Sequence, residues 1–365
     1  MSVRPQIQTD FKINNFDLLR LIAATQVVLI HTERHLDMVR PAWWPLVDAL
    51  PGVPIFFVIS GFLISASYER SSTLSSYARN RILRIFPGLW CCILLTIGVA
   101  AAFGFSFAHW SAGSWLLAQL IGLIYTPHFL KSFGFGSYNG SLWTIPIELQ
   151  FYLVLPIFYY LTKRAGNQTK GLSLALLLFA LIAFLANLLF EPLTEVTQEP
   201  IAQKLIRYSF FPHIYLFLSG VILQRLSVHR SRWIAGKALH WLAVYLLFHF
   251  AVPYSAVSYV IGTMLLGVVV IAAAYTRPTL SEHLLRGNDI SYGVYIYHGL
   301  IINIFVEFGL GGRESDLAVV VLLAFLLGYL SWLLIERPFL RRKKQTIHVL
   351  ASPAGLHVTS VGKGP

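Results

Sequence analysis

Long apolar runs recur from one end of the chain to the other, and they limit what it can fold into. Residues 171–190 read GLSLALLLFALIAFLANLLF, and residues 255–275 form a run of similar length. About 20 apolar residues are enough to cross the hydrocarbon core of a bilayer as a helix. Only 12% of the residues are charged, whereas soluble domains carry about 25%. The sequence therefore predicts an all-α polytopic membrane protein in which nearly the whole chain forms one bundle.

Eleven segments are candidates for membrane helices. They are residues 16–35, 51–69, 82–106, 114–130, 145–163, 170–190, 208–226, 235–251, 255–275, 290–309 and 317–337. Four basic stretches lie between or after them, which is typical of cytoplasmic loops. These stretches are residues 68–84, 163–170, 224–237 and 341–345.

The basic stretches also indicate how many candidates span the membrane. If all eleven spanned the membrane, residues 163–170 would lie on the outer side, although positively charged loops are usually cytoplasmic. Treating residues 114–130 as a re-entrant or interfacial segment on the outer side restores the pattern, and this segment contains Pro127 and His128. We therefore expect about ten transmembrane helices, with both termini cytoplasmic. The alternative is that residues 235–251 fail to span.

The predicted domain organisation has three parts. Residues 1–15 form a cytoplasmic N-terminal segment, residues 16–340 the transmembrane domain, and residues 341–365 a basic, flexible cytoplasmic tail. The net charge is +12, and the basic residues cluster in loops between apolar runs. This pattern indicates membrane topology rather than nucleic-acid binding. Cys91 and Cys92 are adjacent, and their spacing predicts no metal site.

The first apolar segment carries charge at one end and a histidine at the other. Arg20 and His31 are eleven residues apart, so they share one helix face and are separated by ~16 Å along it. Ionisable groups inside a membrane bundle usually face its interior and have a function. Asp17 is three residues before Arg20 and can pair with it on that face. The alternative is that Asp17 and Arg20 reach the interface, while His31 only marks the helix end.

A second basic motif, RILRIFP at residues 81–87, opens the third apolar segment. Arg81 and Arg84 are one helical turn apart at the predicted cytoplasmic mouth of the bundle. Guanidinium groups in such a position bind phosphates well, often through two hydrogen bonds. The alternative is ordinary anchoring of a helix end by positive charge.

Two further motifs carry single polar groups inside apolar runs. SLWTIPIELQFY, residues 141–152, contains Trp143 and Glu148, and the predicted topology places Glu148 in the same outer half as His31. A carboxylate near a histidine can fix its tautomer and raise its basicity. The alternative is that Glu148 caps a helix N-terminus. His298 lies in the tyrosine-rich run 291–300, where an ordinary hydrogen-bonded histidine of the bundle is the simpler interpretation.

Taken together, these stretches resemble the acyltransferase family 3 of integral membrane proteins. The resemblance covers about residues 14–341 and rests on six motifs in the family's order. They are FDLLRLIAATQVVLIH, VPIFFVISGFLIS, RNRILRIFP, SLWTIPIELQFYLVLP, ISYGVYIYHG and IERPF. The first motif looks closest to bacterial enzymes that decorate exopolysaccharides or lipid-linked glycans.

The resemblance implies a ten-helix core and transfer of an acyl group, usually acetyl, from cytoplasmic acyl-CoA to a sugar hydroxyl. Arg20 and His31 match the family's Arg-x10-His motif. Arg81 and Arg84 match its Arg-x-x-Arg motif, and Glu148 matches the acid of its Trp-x4-Glu stretch. This sequence has LWTIPIE where many members have LWSLSVE, which keeps the tryptophan-to-glutamate spacing but loses a second hydroxyl.

These expectations define a site and its ligands. The predicted catalytic residues are His31 and Glu148, the predicted acyl-CoA site is Arg20, Arg81 and Arg84, and the supporting residues are Asp17, Trp143 and His298. The predicted partners are acyl-CoA, most simply acetyl-CoA, a carbohydrate acceptor, the lipid bilayer of the cell membrane, and a polysaccharide assembly complex. Neither a metal nor nucleic acid is expected. The alternatives are a transporter or flippase for a glycan, and a structural subunit of polysaccharide assembly.

Overall fold

The computed structural model describes residues 11, 13–71, 73–164, 171, 177–182, 184–185, 205–206 and 208–341. All regular secondary structure in these residues is helical. Twelve α-helices have described bounds. They are α1 (Phe16–His35), α2 (Trp44–Asp48), α3 (Gly52–Arg70), α4 (Leu74–Ala102), α5 (Trp110–Leu120), α6 (Thr144–Arg164), α7 (Ile214–Arg225), α8 (Ala238–Ala251), α9 (Ala256–Ala274), α10 (Leu280–Leu285), α11 (Ser291–Glu307) and α12 (Glu314–Ser331). α12 continues through a π-helical turn, Trp332–Glu336.

Helix α11 lies at the centre of the bundle. Nearly all of its residues are buried, including His298 and Asn303. It packs along α1 and α12 and also contacts α4. A helix that is apolar on every side is buried on every side. Polar groups carried by α11 are therefore inside the protein and not in lipid.

Helices α3 and α7 approach each other closely because glycines lie at their contact. A Cβ atom at Gly61 would lie 2.0 Å from the backbone oxygen of Phe217, and one at Gly220 would lie 2.1 Å from that of Val58. Small residues allow membrane helices to pack backbone against backbone. This contact fixes the position of α3, which contributes to the candidate site.

Five helical stretches of the described part are long and apolar enough to cross a bilayer. They are Trp44–Arg70, Leu74–Ala102, Gly140–Tyr160, Ala256–Ala274 and Glu314–Arg341, and Ala238–Ala251 is apolar but shorter. The predicted class, an all-α multi-pass integral membrane protein, is confirmed. The number of ten spans, the spanning of residues 235–251 and the cytoplasmic termini stay predictions.

The helix bounds correct one part of the sequence-based assignment. α1 covers the predicted segment 16–35 in full, but α4 begins at Leu74, eight residues before the predicted start of its segment. Thr73 caps α4, since its hydroxyl oxygen accepts from the backbone N–H of Ser76 at 3.1 Å. Most of the stretch 68–84, interpreted as a loop because it is basic, is thus helical.

The region predicted to be re-entrant contains a short helix followed by irregular backbone. Helix α5 has eleven residues and ends at Leu120, and a 3₁₀ turn follows at His128–Leu130. The exposed fraction of Trp110 at the start of α5 is 90%, so this end of the helix projects from the bundle.

Residues 134–143, which follow the predicted re-entrant segment, enter the bundle. They consist of turns that lead into a 3₁₀ turn at Gly140–Trp143, and we call them the irregular segment 134–143. The backbone N–H of Gly134 donates to Glu307 Oε1 at 2.7 Å, at the C-terminal end of α11. The Asn139 side chain donates to the carbonyl of Ile296 at 2.8 Å, near the middle of α11. Irregular backbone is tolerated within a membrane protein where protein groups satisfy it. Helix α6 consequently begins beside the middle of α11.

Some predicted features fall mainly outside the described residues. These are the N-terminal segment 1–15, the apolar segment 170–190, the basic loop 163–170 and the tail 341–365. The predicted domain boundaries therefore stay predictions.

Candidate active site

Helices α1 and α11 run in the same direction and are joined by polar contacts at two levels. Arg20 Nη1 on α1 donates to Oδ2 of Asp289, just before α11, at 3.1 Å. Further along both helices, His298 Nε2 and His31 Nδ1 are 3.0 Å apart and hydrogen-bonded. The prediction that Arg20 and His31 share a helix face is confirmed, because both meet the same neighbouring element.

The first level is an ion-pair network centred on Asp289. This buried carboxylate accepts from Arg84 Nη2 at 2.5 Å as well as from Arg20. The hydroxyl of Ser291 donates to its other oxygen at 2.5 Å. Arg20 also pairs with Asp17 at 2.9 Å, as the three-residue spacing predicted. A buried charge costs free energy unless it is paired, so Asp289 allows two guanidinium groups to lie inside the bundle.

These arginines open onto one cavity, which we call the arginine cavity. Its lining residues are Arg20, Val53, Phe56, Phe57, Ser60, Leu63, Ile64, Arg81, Arg84, Ile85, Thr144, Ile145, Glu148, Tyr152, Ser291, Tyr292 and Tyr295. Its empty volume is about 770 Å³ with its open mouth included. The structure thus brings the three predicted acyl-CoA arginines and Glu148 together around one space.

Arg81 differs from the other two arginines of the cavity. Its Nη2 donates to the Ser67 hydroxyl at 3.2 Å, and its guanidinium carbon lies 5.7 Å from the ring centroid of Tyr152. Its buried Nε has no hydrogen-bond partner among the described residues, and no carboxylate there forms a salt bridge with it. Arg81 is therefore the cavity arginine whose charge is not paired with a carboxylate in the described part of the chain.

Glu148 belongs to the arginine cavity. Its Oε1 accepts hydrogen bonds from the hydroxyls of Tyr152 and, at 3.5 Å, Ser60. Among the described residues, no hydrogen bond joins Glu148 to His31, and His31 does not line this cavity. The contact between Glu148 and His31 that the predicted topology favoured is not present.

The second level is the histidine pair, which we define as His31 and His298. The side chain of His298 is completely buried, whereas that of His31 is partly exposed. The His35 ring lies 6.0 Å from that of His31, measured between centroids, and stacks on Phe135 at 3.8 Å. Phe135 belongs to the irregular segment 134–143, so this segment forms a wall beside the pair.

Tyr295 lies between the two levels. It lines the arginine cavity, and its ring centroid is 5.8 Å from that of His298. Its hydroxyl is hydrogen-bonded to that of Thr144 at 2.9 Å, at the start of α6. Tyr295 therefore lies next to both the arginine cavity and the histidine pair.

The remaining predictions concern Trp143 and metals. Trp143 packs against His213 and Tyr208, with ring centroids 5.4 and 6.1 Å apart, and it does not line the arginine cavity. In the described ranges, no group of three or more histidine, cysteine, aspartate or glutamate side chains has the arrangement of a metal site.

Sequence reasoning missed Asp289 and Tyr295. Asp289 is an acid just before an apolar segment, and two basic motifs elsewhere needed a counter-charge inside the bundle, so charge balance was a usable signal. Tyr295 had no such signal, because it lies among several tyrosines of residues 291–300.

The fold and the site define a polytopic membrane protein with an internal guanidinium-lined cavity and a buried histidine pair. A family model described as an acyltransferase domain matches residues 13–337. The chain therefore belongs to acyltransferase family 3, whose members are membrane O-acetyltransferases, and it is an enzyme of that family.

Three relatives show how widely the similarity extends. Nodulation protein 10 of Rhizobium leguminosarum bv. viciae is 32% identical over 360 residues, which cover 92% of this chain and 95% of that protein. The O-acetyl transferase of Shigella phage Sf6 is 26% identical over 91% of this chain and 97% of its own length. Exopolysaccharide production protein ExoZ of Rhizobium meliloti is 25% identical over 80% and 89%. No solved structure matches the chain.

Proposed function

We propose that this enzyme transfers an acetyl group from cytoplasmic acetyl-CoA to a hydroxyl of a cell-surface or lipid-linked carbohydrate. The observation that carries the proposal is the placement of a guanidinium-lined cavity and a histidine pair at two levels along α1 and α11. The rise between Arg20 and His31, ~16 Å, suits a donor whose phosphates and thioester are far apart. One relative supports a carbohydrate acceptor by its name, an exopolysaccharide production protein, and another, a phage O-acetyl transferase, supports transfer of an acetyl group to oxygen.

The arginine cavity is the proposed binding site for the phosphates of the donor. Guanidinium groups bind phosphate oxygens through charge-assisted hydrogen bonds. Arg20 and Arg84 are held in place by Asp289, which leaves Arg81 as the main contact for the incoming anion. The positive-inside pattern of the loops supports entry of the donor from the cytoplasm.

His31 is the proposed general base. Its ring takes the proton of the acceptor hydroxyl while the hydroxyl oxygen attacks the thioester carbonyl carbon. A C–O bond forms, the C–S bond breaks, and the proton held by His31 passes to the CoA thiolate. His31 suits this role because it is the partly exposed member of the histidine pair.

Glu148 has a different place in the proposal from the one its sequence position suggested. Its hydrogen bonds with Tyr152 and Ser60 support a role in shaping the donor cavity. Tyr295 and Thr144 lie where the thioester has to pass from the cavity towards His31.

The proposal is tested with the purified full-length protein in lipid nanodiscs. The substrates are acetyl-CoA with a labelled acetyl group and polysaccharide extracted from cells in which the gene is deleted. We expect label in the polysaccharide with the wild-type protein and at least a hundredfold lower rate with His31→Ala. Mass spectrometry of surface glycans from cells with and without the gene should show the loss of an acetyl mass. A folded His31→Ala protein with the wild-type rate would refute the role of His31, and unchanged glycans would refute the acceptor class.

A further inference from the structure

We infer that His298 is a positioning residue for His31. His298 accepts a hydrogen bond from the Nδ1–H group of His31 and so keeps the Nε2 lone pair of His31 directed at the sugar hydroxyl. This inference rests on the proposed function, because it names the partner of the proposed base. It starts from the 3.0 Å contact between His298 Nε2 and His31 Nδ1.

The role proposed for His31 decides which nitrogen of the contact carries the proton. The side chain of His298 is completely buried, and its Nδ1 has no hydrogen-bond partner among the described residues. His31 Nδ1 is engaged by His298, so His31 can take a proton only at Nε2. The proton of neutral His31 then has to be on Nδ1. His298 Nε2 is in that case unprotonated and acts as an acceptor.

The tautomers of His31 and His298 are linked through this contact. A neutral imidazole carries one N–H donor and one acceptor nitrogen. If His298 Nε2 accepts, His31 Nδ1 has to donate, and His31 Nε2 bears the lone pair. This nitrogen is not engaged by His298 and can face the acceptor hydroxyl. When Nε2 takes the proton during transfer, the Nδ1–H bond to His298 still holds the ring in place.

The two histidines cannot exchange these roles. His298 is enclosed by α11 and its neighbours, so a sugar hydroxyl cannot reach it, whereas His31 is partly exposed. In Ser-His-Asp triads a carboxylate orients the base and fixes its tautomer. Here none of the described carboxylates is hydrogen-bonded to either histidine, and a neutral imidazole takes the orienting position.

The test compares variants of His298 in the full-length protein, with the labelled acetyl-CoA and extracted polysaccharide named above. His298→Leu removes the acceptor nitrogen, while His298→Gln supplies an amide oxygen that can accept the Nδ1 proton of His31. We expect kcat to fall about a hundredfold or more in His298→Leu and less than about tenfold in His298→Gln. KM for acetyl-CoA should stay within about twofold in both, because the arginine cavity is intact.

Controls separate positioning from a structural role. Tyr297→Phe removes a buried hydroxyl from the next residue, where it faces Ser331 at 3.4 Å, and should leave kcat unchanged. In a His31→Ala background, His298→Leu should cause no further loss of rate, because both residues act as one unit. If His298→Leu does not fold, His298→Met makes the same comparison with a flexible apolar side chain.

Three results would overturn the inference. They are a wild-type kcat in His298→Leu, equal losses in the leucine and glutamine variants, or a further loss of rate when His298→Leu is added to His31→Ala. If His31→Ala is inactive and His298→Leu is active, the inferred role of His298 is refuted, but the proposed role of His31 as the base is not. An active His31→Ala removes the proposed role of the base as well.

Discussion

The arginine cavity and the histidine pair both involve α1 and α11, but they differ in how they accommodate charge. Three guanidinium groups and Glu148 line the cavity. Asp17 pairs with Arg20, and Asp289 pairs with both Arg20 and Arg84. At the histidine pair, the described contacts are a hydrogen bond between two imidazoles and aromatic packing.

This difference indicates a division of labour. Ion pairs hold guanidinium groups in an interior that would otherwise exclude them, and that arrangement suits an anionic ligand. A neutral imidazole pair suits proton transfer, because a base has to be unprotonated when its substrate arrives. Changes in the cavity should therefore affect donor binding or stability, and changes at the pair should affect turnover.

The largest effect is expected at the histidine pair. His31→Ala should lower kcat about 10³-fold, equivalent to about 4 kcal/mol, and leave KM for acetyl-CoA within about twofold. Steady-state assays over a range of acetyl-CoA concentrations measure both constants. His128→Ala, which changes an exposed histidine, is the matched control. A large rise in KM without a fall in kcat would show that the two levels are not separate.

The next largest effect is expected on stability. Asp289→Ala leaves Arg20 and Arg84 without their shared partner and should lower the free energy of unfolding by about 3 kcal/mol. Thermal unfolding in detergent measures the change. Adding Arg84→Met should recover part of the loss, since the two residues interact directly. An unchanged melting temperature in Asp289→Ala would contradict the idea that this carboxylate holds the cavity together.

A smaller effect is expected on donor binding. Arg81→Gln should raise KM for acetyl-CoA about tenfold, because one charge-assisted contact contributes about 1.5 kcal/mol or more. Arg79→Gln is the matched control, since Arg79 is exposed on the same helix and does not line the cavity. Equal effects of both substitutions would mean that only the overall positive charge of this region matters.

The smallest effect is expected for Tyr152→Phe. It removes the hydroxyl that donates to Glu148 and should raise KM for acetyl-CoA about fivefold, equivalent to about 1 kcal/mol. Tyr160→Phe, which alters an exposed tyrosine on the same helix, should have no effect. A fall in kcat with unchanged KM would instead place Glu148 on the side of the chemistry, as its sequence position first suggested.

The case of Glu148 shows where sequence reasoning reached its limit. Loop charges placed it in the same outer half of the membrane as His31, just inside the predicted segment 145–163. The irregular segment 134–143 instead descends along α11, so α6 starts next to Tyr295. Glu148 is then one turn deeper and meets the arginines. How far this segment extends along α11 depends on side-chain contacts with a helix that is distant in sequence. The hydrophobic periodicity of the sequence does not reveal such contacts.

The sequence by itself determined the class of protein, the bounds of α1 and the shared face of Arg20 and His31. These depend on run length and helical period, which are local properties. Only the tertiary structure decided that Asp289 meets Arg20 and that His298 meets His31, pairs separated by 269 and 267 residues. Such pairings arise when helices pack, because the cost of burying a charged or polar group is removed by whichever partner the fold brings beside it.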